Sequence, residues 1–157
     1  MDAETSAALA RLIRSQRIAA FGTLRGGAPL VSLVSFLAAP DFSAFTLRVS
    51  RLAWHTQDIE KEPQVSLLIA EADDRRADPQ TLARATVRGT AVRLAAAGAE
   101  HERLKSAWLE RFPEAAVTFE LADFSFWRVV PHEARFVAGL GQTYNLSAAA
   151  LRAAAAA

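Results

Sequence analysis

The sequence predicts a small barrel of six or seven short antiparallel strands, a mainly β fold with flanking helices. Stretches in which apolar and polar residues alternate recur along the chain, the clearest being Phe45-Thr46-Leu47-Arg48-Val49 and Arg84-Ala85-Thr86-Val87-Arg88-Gly89-Thr90-Ala91-Val92. A period of two is what a strand needs when one face meets a core and the other something polar. Short turn-forming clusters separate these stretches, and apolar residues at helical spacing occur only at the start, at one corner and near the end. A barrel of this size fills its interior with its own side chains, so a ligand is expected outside, against the wall and between two copies of the chain.

Taken in order, Thr5 or Ser6 caps a first helix with Leu9, Leu12 and Ile13 on one face. Ile18 to Leu24 reads as the first strand, Arg25-Gly26-Gly27-Ala28 as a tight hairpin turn, and Leu30 to Leu37 as a second strand that is apolar on both faces except for Ser32 and Ser35. Ala39 to Ser43 is the next turn and Phe45 to Val49 the third strand. Ser50 then caps a short helix with Leu52, His55, Thr56 and Ile59 on one face; Pro63 ends it and Val65 to Ile69 is the fourth strand. Glu71 to Gln80 has no periodicity and reads as a long exposed loop. Arg84 to Val92 is the fifth strand, with Gly89 marking a bulge or a close backbone approach. Ala99 to Arg111 is a helix closed by Pro113, with Trp108 on its core face. Two last strands, Phe124 to Val130 and Ala134 to Ala138, are hinged at Pro131-His132; a glycine turn leads to Thr143–Leu146, and the alanine-rich end from Ala148 reads as a frayed helix or a disordered tail.

Composition narrows the function classes. The 157 residues make one domain that can bury a core without staples. A net charge of +1 gives no bulk electrostatic case for nucleic acid. With no cysteine there are no disulfides, no thiol catalysis and no cysteine-ligated metal, which fits a reducing cytoplasm. The start is acidic and then amphipathic, unlike a signal peptide, and no apolar run approaches the ~20 residues that cross a bilayer. His101 and His132 have no partner at metal-ligand spacing, and neither a Gly-x-Gly-x-x-Gly nor a Gly-x-Ser-x-Gly motif occurs. A helix start at Ser50-Arg51 brings free backbone N–H groups, a hydroxyl and a guanidinium together, which suits a phosphate; a plain cap beside a solvated charge fits the same residues.

Several blocks together resemble the FMN-binding split barrels related to pyridoxamine 5'-phosphate oxidase. They are Val31–Phe36, Thr46–Thr56, Glu62–Leu68, Arg84–Gly89, Asp123–Arg128 and Arg135–Gly141. Within that superfamily the Ser50-to-Thr56 block and the closing Arg135-Phe136-Val137-Ala138-Gly139-Leu140-Gly141 look most like the haem-utilisation branch. The resemblance implies a single split-barrel domain over residues 1–147, followed by an alanine-rich tail over 148–157. It implies a homodimer with two FMN sites at the interface. Val31, Ser32, Leu33, Val34 and Ser35 would run along the flavin ring; Arg48, Val49, Ser50 and Arg51 would meet the ribityl chain and phosphate, with His55 approaching from the helix. Arg84 and Thr86 would reach the flavin or its phosphate from the fifth strand. Trp127 of the partner chain would wall the site or pack the dimer, with Arg135 nearby. His55 equally fits a half-buried histidine bonded to backbone.

Three departures from the oxidase pattern argue against pyridoxamine phosphate oxidation itself. The second strand has no Arg or Lys, Arg51 is followed by Leu52 instead of a basic residue, and Arg135-Phe136-Val137 stands where the oxidases end in Arg-Leu-His-Asp-Arg. The haem-utilisation branch also commonly carries a further C-terminal helical domain, which residues up to Ala157 do not include. The function expected from the resemblance is a cytoplasmic, flavin-dependent oxidoreductase acting on a small molecule, with FMN or a deazaflavin as cofactor. Two alternatives stand beside it: a haem-binding or haem-degrading protein on the same barrel, with His55 or His132 as axial ligand, and a non-catalytic flavin-binding protein.

Overall fold

In chain order the elements are α1 (Ala3–Ser15), β1 (Ile18–Arg25), β2 (Ala28–Ala38), β3 (Phe45–Ser50), α2 (Trp54–Ile59), β4 (Gln64–Ala70), β5 (Arg84–Arg93), α3 (Ala99–Arg111), β6 (Phe124–Gly139), β7 (Gln142–Ser147) and α4 (Ala148–Ala154), with 3-10 turns at Pro79–Thr81 and Pro113–Glu120. They are seen in a computed structural model that describes residues 1–157. All seven strands belong to one antiparallel sheet in the order β3-β2-β1-β4-β5-β6-β7, and a second pairing of β3 with β6 closes six of them into a ring. Alternation decides what enters that ring. Phe21, Phe36, Phe45, Leu47, Leu67, Val87 and Phe136 point inward and are buried, while the residues between them face out.

The helices stopper the ring. The α1 face of Leu9, Leu12 and Ile13 joins the main core, and Asp2 caps the helix by accepting from the Thr5 amide at 2.8 Å. The alanine-rich end is an ordered helix: Ser147 caps α4, and Leu151 is fully buried against the same core, which supplies the packing that alanine propensity alone lacks.

Besides the α1 cap, which is Asp2 and not Thr5 or Ser6, and the ordered tail, two stretches differ from the sequence reading. The last two strands are one sixteen-residue strand, β6, and Pro131 sits inside it. The strand survives because the β5–β6 register slips between Arg88 and Gly89, so that Gly89 lies opposite Pro131 and the proline interrupts the ladder where it is already bulged. A Cβ on Gly89 would run into the backbone carbonyl of Val130, which is the close approach anticipated for this glycine. The second difference lies at the corner after β3. The helix begins at Trp54, with Ala53 as its N-cap, and not at Ser50. Because β3 pairs with β6 up to Ser50↔Phe124, the Arg51 amide donates to the Asp123 carbonyl at 2.8 Å and Ser50 Oγ donates to the Asp123 carboxylate. Residues 51–53 are thereby held as a turn.

Helix α2 is anchored from below by charge. Asp58, 4% exposed, accepts from Arg25 Nη1 at 2.9 Å and from Thr23 Oγ1 at 3.1 Å, and the Arg25 guanidinium also lies 4.2 Å from the centre of the Trp54 ring.

Two substitutions test this framework. Gly89→Ala is expected to lower stability by roughly 1–3 kcal/mol, because the backbone it strikes cannot retreat as a flexible side chain could; urea unfolding should show a lower midpoint. Asp58→Ala leaves Thr23 and Arg25 without their acceptor and is expected to lower stability by about 1–3 kcal/mol in the same assay.

Candidate functional site

The register of β2 and β3 creates an opening. All of Ala28–Ser35 pairs with β1, but only Phe36, Leu37 and Ala38 pair with β3, at Leu47, Thr46 and Phe45. Beyond that, β3 turns toward β6 and leaves one backbone edge of β2 without a strand neighbour. A cleft of about 550 Å³ occupies the gap. Leu33, Val34 and Ser35 form one wall and Arg48, Val49 and Ser50 the other; His55 lies at the α2 end, and Trp108, Phe112 and the 113–120 turn close the floor. Seven residues expected from the sequence therefore meet here, and the reason is the parting of two strands, not the corner.

The polar groups of the cleft differ in how far they are already engaged. Arg48 donates to Thr118 Oγ1 at 2.6 Å and to the Thr118 carbonyl at 2.9 Å, and its guanidinium lies 3.7 Å from the centre of the Phe119 ring. Burial pushes its pKa below the usual arginine value, with the Asp123 carboxylate opposing part of the shift. Ser50 is committed to Asp123 and to the Leu52 amide. His55 is different. Its Nδ1 is 3.0 Å from Ser32 Oγ, and its ring meets Phe21 edge to face at 5.9 Å. Burial lowers its pKa below the ordinary imidazole value, only partly offset by Asp58, so the neutral ring is favoured. With Nδ1 paired to Ser32, Nε2 has no partner within the chain.

The remaining expected residues lie elsewhere. Arg51 is exposed on the turn before α2 and lines no part of the cleft. Val31 is 69% exposed on the outer wall, which Leu33 of the cleft also borders. Thr86 and Arg135 share that wall, since the register runs Leu33–Ala20–Leu68–Thr86–Arg135 across five strands. Thr86 is three strand spacings from Leu33, roughly 14 Å. Arg84 bonds the carbonyls of Gln80 and Leu82, and Arg135 bonds Asn145. Trp127 points inward, 4% exposed in the main core, with Nε1 donating to Ser125 Oγ at 3.1 Å. It offers no surface to a ligand of its own or a partner chain. His132 is exposed, its Nε2 3.0 Å from Thr90 Oγ1.

Among the cleft residues that sequence reasoning missed are Arg17, Glu114, Thr118 and the Trp108–Phe112 pair, whose rings are 4.8 Å apart. Trp108 was legible as an apolar helix position. Nothing in the local pattern linked Thr118 to Arg48, seventy residues away.

A family model described as Pyridoxamine 5'-phosphate oxidase matches residues 5–138. The chain is 36% identical over 118 residues to the chloroplastic haem oxygenase HOZ of Arabidopsis thaliana, covering 75% of this chain but only 34% of that protein. It is 28% identical over 129 residues to haem oxygenase HutZ of Vibrio cholerae, covering 77% of this chain and 68% of that one. A haem-binding protein of Mycobacterium smegmatis superposes with a TM-score of 0.84 at 26% identity, covering 98% of this chain and 61% of the other. These relatives are named for haem, and the FMN expected from the sequence is corrected on that finding. The geometry agrees: the phosphate corner it required has no helix start at Ser50-Arg51, its hydroxyl is spent on the Asp123 carboxylate, and that acid would repel a phosphate. The split barrel, with its strand order, its β2–β3 cleft and its match over residues 5–138, nevertheless stands: the chain belongs to the pyridoxamine 5'-phosphate oxidase family.

Proposed function

We propose that this protein binds haem in the β2–β3 cleft and serves haem degradation. The observation that carries the reading is His55: a half-buried imidazole kept neutral, with one nitrogen directed by Ser32 and the other unpartnered in a cleft with apolar walls. Neutral imidazole is the form that coordinates iron, and with Nδ1–H donating to Ser32 Oγ the ring is held and Nε2 is left free to do so. The cleft volume falls within the range of sites that enclose cofactor-sized molecules. The haem-named relatives support the same reading. When bound, haem supplies an iron centre whose reaction with dioxygen depends on the polarity and access of its pocket. The chain's part is to hold that centre: Leu33, Val34 and Trp108 exclude water, and Asp58, through Thr23 and Arg25, keeps α2 and hence His55 in place. His132, already bonded to Thr90 on an exposed strand, is the weaker ligand candidate.

We also propose that the working form is a homodimer. Ile18, Val31, Leu33 and Leu68 present a contiguous apolar face on β1, β2 and β4, and the unpaired β2 edge borders it. A second copy seated there would complete the open side of the cleft and face Thr86 and Arg135. The absence of cysteine supports a reducing compartment such as the cytoplasm, and no helix is long and apolar enough to cross a membrane.

Titration with haemin should produce a Soret band that is lost or strongly weakened in His55→Ala and retained in His132→Ala; the reverse pattern would remove His55 from the site. Since proton and iron compete for Nε2 and burial lowers the pKa, the wild-type band should persist as pH falls past the ordinary imidazole value of about 6.5 and disappear only at lower pH. Added reductant under air should then bleach the band if haem is degraded and leave it intact if haem is only held. For the dimer, Leu33→Glu combined with Val31→Glu should give a monomer in sedimentation velocity while the wild type sediments as a dimer.

A further inference from the structure

Arg17 is the one cation of the cleft with nothing to do inside the chain. It lies just before β1, lines the cleft, and its side chain makes no hydrogen bond or ion pair with any other residue, whereas Arg48, the other arginine of the lining, is engaged by Thr118. It is not loose, however. Its guanidinium lies 5.1 Å from the centre of the Phe112 ring, and the guanidinium of Arg111 lies 5.9 Å from the same ring. Arg111 is itself fixed, donating to the backbone carbonyls of Arg14 and Gln16, and its Nε is buried without a partner. Two guanidinium groups on one ring raise the local positive potential; the pKa of Arg111 is lowered first by its burial and then by the charge of Arg17. An anion entering the cleft would relieve that repulsion. Glu114 also lines the cleft, but it forms no ion pair with Arg17.

The register places this positive corner relative to His55. Ser32, which pairs with His55, and Phe36, whose amide donates to the Arg17 carbonyl at 3.2 Å, are four residues apart on β2. At about 3.3 Å per residue the two anchor points are roughly 13 Å apart along one wall. A ligand lying along this wall can therefore meet the imidazole beside one stretch of β2 and the guanidinium beside another. Guanidinium is suited to a carboxylate, which it can meet with two parallel hydrogen bonds.

We infer that Arg17, held on the Phe112 ring of the cleft floor, binds a carboxylate of the ligand and makes the site selective for acidic tetrapyrroles over their esters. This rests on the haem reading above and adds the residue and the ligand group that set its specificity.

The test uses the full chain and two metal-free probes, protoporphyrin IX and its dimethyl ester, followed by quenching of tryptophan fluorescence, for which Trp108 in the cleft is the reporter. Arg17→Ala is expected to weaken binding of the diacid about tenfold while changing that of the dimethyl ester less than twofold. Arg17→Lys, which keeps the charge but loses the planar fork and its stacking on Phe112, should restore part of the difference. Haemin titrated in parallel should follow the diacid, and unchanged circular dichroism shows that the variants fold. If Arg17→Ala weakens diacid and ester alike, or neither, while the wild type still gives a Soret band with haemin, the role of Arg17 is overturned and the haem reading stands. If the wild type binds neither haemin nor protoporphyrin IX, the haem reading itself fails, and this inference with it.

Discussion

One strand is shared between three neighbours, and the rest of the molecule adjusts to that. β6 pairs with β3 along its first half, with β5 through most of its length and with β7 along its second half. Sixteen residues cannot serve partners on both sides of a curved wall without a break in register, and the slip at Gly89, opposite Pro131, provides it. The pairing with β3 closes the ring. The same pairing draws β3 away from β2 after three residue pairs, and a slit opens in the wall. Closure of the barrel and opening of the cleft are one geometric event.

What the cleft can bind follows from which of its polar groups are already satisfied. Arg48 is clamped to Thr118 and the phenylalanine rings around it, which fixes the 113–120 turn as the floor. Ser50 belongs to Asp123. A phosphate-bearing ligand would have to break these contacts and approach a carboxylate, at a cost in desolvated charge. An apolar macrocycle meets no such obstacle. It meets Leu33, Val34, Val49 and Trp108, together with a neutral imidazole that has a free nitrogen and an unpaired guanidinium.

The position of His55 depends on residues that never touch the cleft. Asp58, one turn further along α2, is buried against Thr23 and Arg25, and Trp54 closes over the Arg25 guanidinium. A six-residue helix has little stability of its own. This ion pair and the burial of Ile59 and Thr56 hold it to β1. The imidazole thus rests on a fixed support.

The sequence by itself determined most of the strands, the inward faces of β3 and β5, and the family. Alternation in β3 and β5 marked which residues turn inward, and the structure buries Phe45, Leu47, Ala85 and Val87 accordingly. Leu33 to Ser35, Arg48 to Ser50 and His55 were named from the resemblance, and the parting of β2 and β3 brings them together, while Val31, Arg51, Arg84, Thr86, Trp127 and Arg135 lie outside the cleft. Only the tertiary structure decided what those residues are free to do. The commitment of Ser50 to Asp123 and of Arg48 to Thr118, the inward turn of Trp127, the delayed start of α2 and the idle guanidinium of Arg17 all arise from contacts tens of residues apart. Periodicity reports which face a residue occupies, since that depends on its neighbours in the chain. Whether its hydrogen bonds are already made depends on partners brought in by the closing of the barrel, and no local pattern carries that information.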